Sequence, residues 1–168
     1  LFQVRASEEV EDYDAMRSYV VELVRTGCAL DKEERRMLLV AFKNSVAKRR
    51  AAWRKLIQLE NAMDNTDSLL PHLRIYRGVV EDELEVICRE IIETTDILLV
   101  GAKDGELDAY EGMFYFKLRG DYWRYLCEVR KGLALDESKD RAKDEYAHAL
   151  SKAKGPLGLT PSDPQVLG

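Results

Sequence analysis

The first 155 residues contain almost nothing that breaks a helix. Three of the four prolines fall in the last thirteen residues, namely Pro156, Pro161 and Pro164. A proline inside a helix removes a backbone hydrogen bond and clashes with the preceding turn, so a chain that keeps its prolines near one end can hold long helices. No segment shows the alternation of apolar and polar residues that predicts a strand. The sequence therefore predicts an all-α protein.

Apolar residues recur at helical spacing in five segments. The clearest follows Asp31, whose spacing from Glu34 matches a capping box, and no Gly or Pro interrupts it. Gly120 weakens the fourth segment, because Gly in a helix interior costs about 1 kcal/mol relative to Ala. Residues 101–105 (GAKDG) are predicted to form a loop, and the last segment has Ala142, Tyr146, Ala149 and Leu150 as its apolar stripe. We expect helices over residues 7–27, about 32–61, about 106–131 and about 137–154, and a further helix that has Pro71 in its first turn and ends at about residue 100.

Helices up to about 30 residues long that are joined by short loops imply antiparallel neighbours. We therefore expect a single domain over residues 1–168, built as an antiparallel bundle of long helices, similar in appearance to helical-hairpin repeats. No stretch approaches the ~18 apolar residues of a membrane-spanning helix. The net charge of −5 argues against a protein that coats nucleic acid or an anionic membrane.

The side chains that usually carry chemistry are scattered. No CxxC pair is present, and three cysteines fit a reducing, cytoplasmic setting better than a disulfide framework. Neither a zinc site, a nucleophile–base pair nor a glycine-rich phosphate loop can be recognised, so we expect no enzyme, no metal and no cofactor. The cysteines and histidines of the chain are Cys28, Cys88, Cys127, His72 and His148.

Positive charge is concentrated in the run KNSVAKRRAAWRK, residues 43–55. It holds six basic residues and no acidic one, against the negative sign of the whole chain. Lys43, Arg50 and Arg54 stand at i, i+7 and i+11, which places them on one face of a helix. Such a face is costly on a core helix unless something anionic meets it.

A second basic cluster lies in YFKLRGDYWRYLCE, residues 115–128. Lys117 and Arg124 are seven residues apart, and Tyr125 adds a hydroxyl beside a guanidinium. Asp121 or Glu128 could hold the basic side chains in place before a ligand arrives. Together the two clusters suit a phosphate dianion, because Arg binds phosphate oxygens bidentately. Charge runs on helices are more often solvated faces, so the spacing alone leaves both interpretations open.

These two segments also carry a family resemblance. LLVAFKNSVAKRRAAWR (38–54) and YFKLRGDYWRYLCE (115–128) resemble the two signatures of the 14-3-3 family. The segments DKEERRMLLVAFKN, EDELEVICREI and PSDPQVLG follow in the expected order, so the resemblance covers essentially the whole chain. It implies antiparallel helices around an amphipathic groove that binds phosphorylated Ser/Thr peptides, in a non-catalytic signalling adaptor.

The resemblance also implies site residues. By position, the phosphate-binding residues of the family fall on Lys43, Arg50, Arg124 and Tyr125, and Lys117 matches a further basic residue of the groove. The implied partners are phosphorylated client proteins, with no nucleic acid and no membrane.

The chain departs from the family pattern at the usual dimer contacts. Asp12 and Ala15 stand where the resemblance implies an Arg and an acidic residue, and Val79 stands where a basic residue is common. Asp12 would then face Glu83, a like-charge pair that disfavours association. We therefore expect a weakened or rearranged dimer. Ala52 replaces a phosphorylatable Ser of many members, so that switch is expected to be absent.

The resemblance further implies that the apolar wall of the groove is built by helices beyond Gly168, outside this sequence. An alternative hypothesis therefore stays open, in which the chain is a helical scaffold that binds non-phosphorylated acidic partners.

Overall fold

A computed structural model describes residues 1–27, 29–101 and 109–153. These ranges contain six helices and no strand, which confirms the all-α prediction. The chain divides into two compact units, unit 1 (Leu1–Glu90) and unit 2 (Ile91–Gly168), and the fourth helix runs through the boundary. The single-domain organisation stays a prediction. The helices are α1 (Phe2–Glu9), α2 (Tyr13–Arg25), α3 (Lys32–Ala62), α4 (Leu70–Gly101), α5 (Ala109–Val129) and α6 (Gly132–Ala153).

The first predicted helix, over residues 7–27, is wrong: the structure has two helices there. Glu11 has a φ of 56°, in the left-handed region that non-glycine residues rarely adopt and that ends a right-handed helix. Asp12 then starts α2 as its N-cap, because its side chain accepts a hydrogen bond from the Ala15 amide at 3.1 Å. Val10 extends the apolar spacing across this break, although its side chain is 73% exposed.

Helix α3 begins where the sequence predicts. The Glu34 amide donates to Asp31 Oδ1 at 2.8 Å, and the Asp31 amide donates to Glu34 Oε2 at 2.9 Å, which completes the predicted capping box. Phe42 and Val46 of α3 are buried, as is Val20 of α2, and the two helices pack together. These residues form part of the apolar core of unit 1.

Polar contacts show that α3 and the first part of α4 run antiparallel, as predicted. Glu60 near the end of α3 pairs with Arg77 near the start of α4. Arg49, earlier on α3, pairs with Glu83, later on α4. From the first pair to the second, the residue number falls along α3 and rises along α4, so the two helices run in opposite directions.

In unit 2, α5 runs without interruption through Gly120, and α6 begins five residues earlier than the predicted residue 137. Gly132 has a φ of 56°, which suits glycine at the turn into α6. The buried Ser138 hydroxyl accepts from Arg130 at 2.9 Å and donates to the Ala134 carbonyl at 2.7 Å. Polar contacts therefore hold the beginning of α6, and the pattern of apolar residues in the sequence does not reveal them. Residues 102–108 and 154, and with them most of the predicted 101–105 loop, lie outside the described residues.

Helices α5 and α6 pack closely against each other. Met113 on α5 and Ala149 on α6 are buried in one apolar cluster, with Tyr110 beside them. The predicted stripe of α6 is correct at Ala149 but wrong at Leu150, whose side chain is 54% exposed.

Candidate functional site

Two of the predicted site residues, Lys43 and Arg50, lie on α3. They are two helical turns apart, about 10.5 Å along the axis, and so share one face of the helix. Lys43 is exposed, and Arg50 is partly exposed. The run of residues 43–55 that surrounds them holds no acidic residue. This part of α3 therefore has a locally positive surface.

The neighbouring Arg49 has a different role. Its Nη1 donates to both carboxylate oxygens of Asp14 on α2, at 2.6 and 2.8 Å, and its Nε donates to Glu83 on α4 at 3.0 Å. Burial alone would lower the pKa of Arg49, but the hydrogen bonds to the two carboxylates outweigh it and raise that pKa. Arg49 therefore ties three helices of unit 1 together, and one of the six basic residues of the run is structural.

The other predicted site residues lie on α5. The guanidinium carbon of Arg124 is 4.6 Å from the centroid of the Tyr125 ring, a cation–π contact. The Tyr125 ring meets the Tyr122 ring edge-on, with centroids 5.3 Å apart and an interplanar angle of 79°. Lys117 is exposed on the same helix, two turns before Arg124. An exposed guanidinium supported by an aromatic ring suits the planar, bidentate recognition of an anion.

Asp121, one turn before Arg124 on α5, has a partner on α6. The Tyr146 hydroxyl donates a hydrogen bond to Asp121 Oδ1 at 2.7 Å. Burial, together with the carboxylate of Asp121, raises the pKa of Tyr146 to about 12, so its hydroxyl keeps its proton at neutral pH. Tyr146 thus links α6 to the Asp121 carboxylate of α5.

The five predicted residues divide between the units. Lys43 and Arg50 belong to α3 of unit 1, whereas Lys117, Arg124 and Tyr125 belong to α5 of unit 2. Their helices and spacings agree with the two basic segments that the sequence singles out.

Comparison with known proteins identifies the family. A sequence model described as 14-3-3 protein matches residues 3–168, which is nearly the whole chain. The chain belongs to the 14-3-3 family. It is similar to 14-3-3 protein theta of Homo sapiens, with 35% identity over 167 residues, and to 14-3-3 protein beta/alpha-B of Xenopus laevis, with 33% over 166 residues. It is also 32% identical over 170 residues to the 14-3-3-like protein GF14 epsilon of Arabidopsis thaliana.

These alignments cover 99% to 100% of this 14-3-3 chain but only 65% to 66% of each relative. The chain therefore spans slightly less than two thirds of the length of the relatives it matches. Both basic segments fall inside the matched region.

The residues expected at the 14-3-3 dimer contacts have partners within their own chain. Asp12 caps α2, and Glu83 accepts a hydrogen bond from Arg49. Ala15 supplies the amide that Asp12 caps. Val79 on α4 is 47% exposed.

A cleft of about 380 Å³ lies between the α1–α2 turn and α3 of this 14-3-3 chain. Acidic side chains of Asp12 and Asp14 line one side, and basic side chains of Lys48 and Arg49 line the other. Charges of both signs therefore meet in this cleft.

Two features of unit 2 were not found from the sequence. The first is the contact of Tyr146 with α5, because the apolar pattern places Tyr146 only in the packing stripe of α6. The one sequence signal for this contact is Gly120, a glycine inside a helix where a close neighbour explains it. The second is Glu145, which is 6% exposed and pairs with Arg119 at 2.8 Å. Arg119 also pairs with Asp96 on α4, and burial raises the pKa of Glu145.

In residues 1–27, 29–101 and 109–153, no helix has the length and apolar character needed to cross a bilayer. The same described ranges contain no group of three or more His, Cys, Asp or Glu side chains placed to hold a metal ion.

Proposed function

We propose that this chain is a non-catalytic signalling adaptor that binds peptides carrying phosphoserine or phosphothreonine. The phosphate contacts are assigned to Lys43, Arg50, Arg124 and Tyr125, with Lys117 as a nearby charge. The observation that carries the proposal is the exposed Arg124 guanidinium stacked on Tyr125 at 4.6 Å, because this pair falls where the family resemblance implies a phosphate-binding Arg and Tyr.

The chemistry of these groups favours a phosphate dianion over other anions. An Arg fork can donate two parallel hydrogen bonds to phosphate oxygens, and Lys43 adds a compact positive charge. The overall charge of −5 opposes non-specific binding of anions, so a local cationic face can select for a dense charge on a peptide. A cytoplasmic location for such an adaptor rests on the reduced cysteines expected from the sequence.

The direct test compares a phosphoserine peptide with its unphosphorylated twin by fluorescence anisotropy. We expect the phosphorylated peptide to bind at least about tenfold more tightly, a difference of about 1.4 kcal/mol. The Arg50→Glu variant should abolish that difference. Lys55→Glu is the matched control, because Lys55 is exposed on the same helix but points about 140° away from Arg50. Loss of the difference in both variants would show that only the net charge of α3 matters, which contradicts the assignment of Arg50.

The same assay separates this proposal from the alternative of a scaffold for non-phosphorylated acidic partners. Such a scaffold would bind acidic peptides with or without phosphate, and high salt would weaken both equally. Equal affinities of the wild-type chain for the two peptides would reject the phosphate-reading function.

A further inference from the structure

Helix α6 approaches α5 closely at Gly120. A Cβ atom added at Gly120 would lie 2.8 Å from Cε1 and 2.9 Å from Cδ1 of the Tyr146 ring, closer than real atoms pack. Gly120 is buried in the middle of α5 and has no unusual backbone conformation to explain a glycine. The glycine therefore makes room for Tyr146 and accepts the cost of a poor helix former.

This approach brings the Tyr146 hydroxyl to the Asp121 side chain of α5. The hydroxyl donates to Asp121 Oδ1 at 2.7 Å. The Arg124 guanidinium, three residues further along α5, is supported by the Tyr125 ring at 4.6 Å.

The hydroxyl thereby engages the acidic neighbour of Arg124. Asp121 stands three residues before Arg124, a spacing at which oppositely charged side chains on a helix can pair directly. A direct pair would occupy the guanidinium N–H groups that an anion needs. The Asp121 carboxylate instead accepts a hydrogen bond from the Tyr146 hydroxyl.

We propose that Tyr146, seated on Gly120, is a positioning residue that engages the Asp121 carboxylate, keeps it from pairing with Arg124 and so leaves the Arg124 guanidinium ready for a peptide phosphate. The inference rests on the proposed phosphopeptide function and adds to it a residue of α6 that does not itself touch the phosphate. Tyr146 acts through Arg124, so its loss should weaken phosphate recognition and leave the remaining peptide contacts unchanged.

The test uses the full chain with Tyr146→Phe, which keeps the ring on Gly120 and removes only the hydroxyl. We expect the affinity for the phosphoserine peptide to fall about three- to tenfold, the range expected when one side chain must be ordered on binding. Affinity for the unphosphorylated twin and the thermal unfolding midpoint should stay at wild-type values. Tyr110→Phe is the matched control on α5, about 21 Å along the helix from Arg124, and should change none of these quantities.

A rescue variant distinguishes positioning from a merely structural role. Adding Asp121→Asn to Tyr146→Phe removes the carboxylate that would compete for Arg124, so most of the lost affinity should return. Wild-type affinity in Tyr146→Phe would overturn the inference and leave the proposed function standing. Equal losses for both peptides, or a loss that Asp121→Asn does not rescue, would also overturn it. If the wild-type chain itself does not distinguish the two peptides, both proposals fail together.

Discussion

One guanidinium nitrogen of Arg49 on α3 donates to both carboxylate oxygens of Asp14 on α2, at 2.6 and 2.8 Å. The same side chain reaches Glu83 on α4 and is only 18% exposed. This pairing gives Arg49 a structural task that its exposed neighbour Lys48 does not share. The contribution of each of these adjacent cations to the free energy of unfolding can be measured.

Arg49→Ala should lower the free energy of unfolding by about 1–2 kcal/mol, a modest value because both carboxylate partners are partly exposed and screened by solvent. Lys48→Ala removes the same charge one residue earlier and should change stability by less than about 0.5 kcal/mol. Urea unfolding of the two variants gives both values. Equal losses would mean that the Arg49 contacts contribute nothing beyond net charge.

The Asp14 carboxylate makes this contribution pH-dependent. Burial alone would raise the pKa of Asp14, but the hydrogen bonds and positive charge of Arg49 outweigh it and hold that pKa below its usual 3.8. A carboxyl group with a lowered folded-state pKa stabilises the fold above its unfolded pKa, and the stabilisation is lost as the pH falls through the folded value.

The stability difference between the wild type and Asp14→Asn should therefore be constant from neutral pH down to the usual 3.8 and shrink below it. Urea unfolding over a pH series measures this difference. A difference that is unchanged at the lowest pH would show that Asp14 is not held in its ionised form by the fold.

Two glycines in helix interiors should respond to alanine with opposite signs. A Cβ at Gly78 on α4 would meet nothing within 4 Å, so Gly78→Ala should stabilise the chain by about 0.5–1 kcal/mol through helix propensity alone. Gly120→Ala gains the same propensity but forces the Tyr146 ring away, and overpacking costs about 1–3 kcal/mol. Thermal and urea unfolding should show a net loss for Gly120→Ala. Stabilisation by both substitutions would mean that the Tyr146 ring moves aside without cost.

Self-association offers a separate test of the departures at Asp12, Ala15 and Glu83. We predict a weak dimer or none, because Asp12 would face Glu83 of a second copy in the usual arrangement. Asp12→Asn keeps an N-cap side chain and removes one negative charge, so it should strengthen association without unfolding α2. Sedimentation velocity of both proteins measures the effect. A tight wild-type dimer at micromolar concentration would contradict the prediction.

The helices that could be predicted from the sequence are those whose signals are local. The start of α3 follows from the Asp31 and Glu34 capping box, and its length follows from the absence of any breaker over about thirty residues. The break between α1 and α2 could not be predicted, because it depends on the backbone of Glu11, a residue type that carries no turn signal.

The same distinction applies to the candidate site. The shared face of Lys43 and Arg50 follows from helical spacing alone. The internal role of Arg49 depends on partners 34 and 35 residues away, and the contact of Tyr146 depends on a residue 25 positions away. Periodicity within one helix holds no information about such contacts.

Arg49 and Arg50 have the same side chain and adjacent positions, yet one is engaged inside unit 1 and the other is proposed to meet a ligand. Only the rotation of about 100° per residue of an α-helix separates these tasks. The position of a residue along α3 therefore decides the direction of its side chain. Deleting one residue between the capping box and Lys43 would move every later residue of α3 back by one position and place Arg50 where Arg49 now meets Asp14. The arginine proposed to bind phosphate would then pair with Asp14 inside unit 1, although every basic residue of the run had been kept.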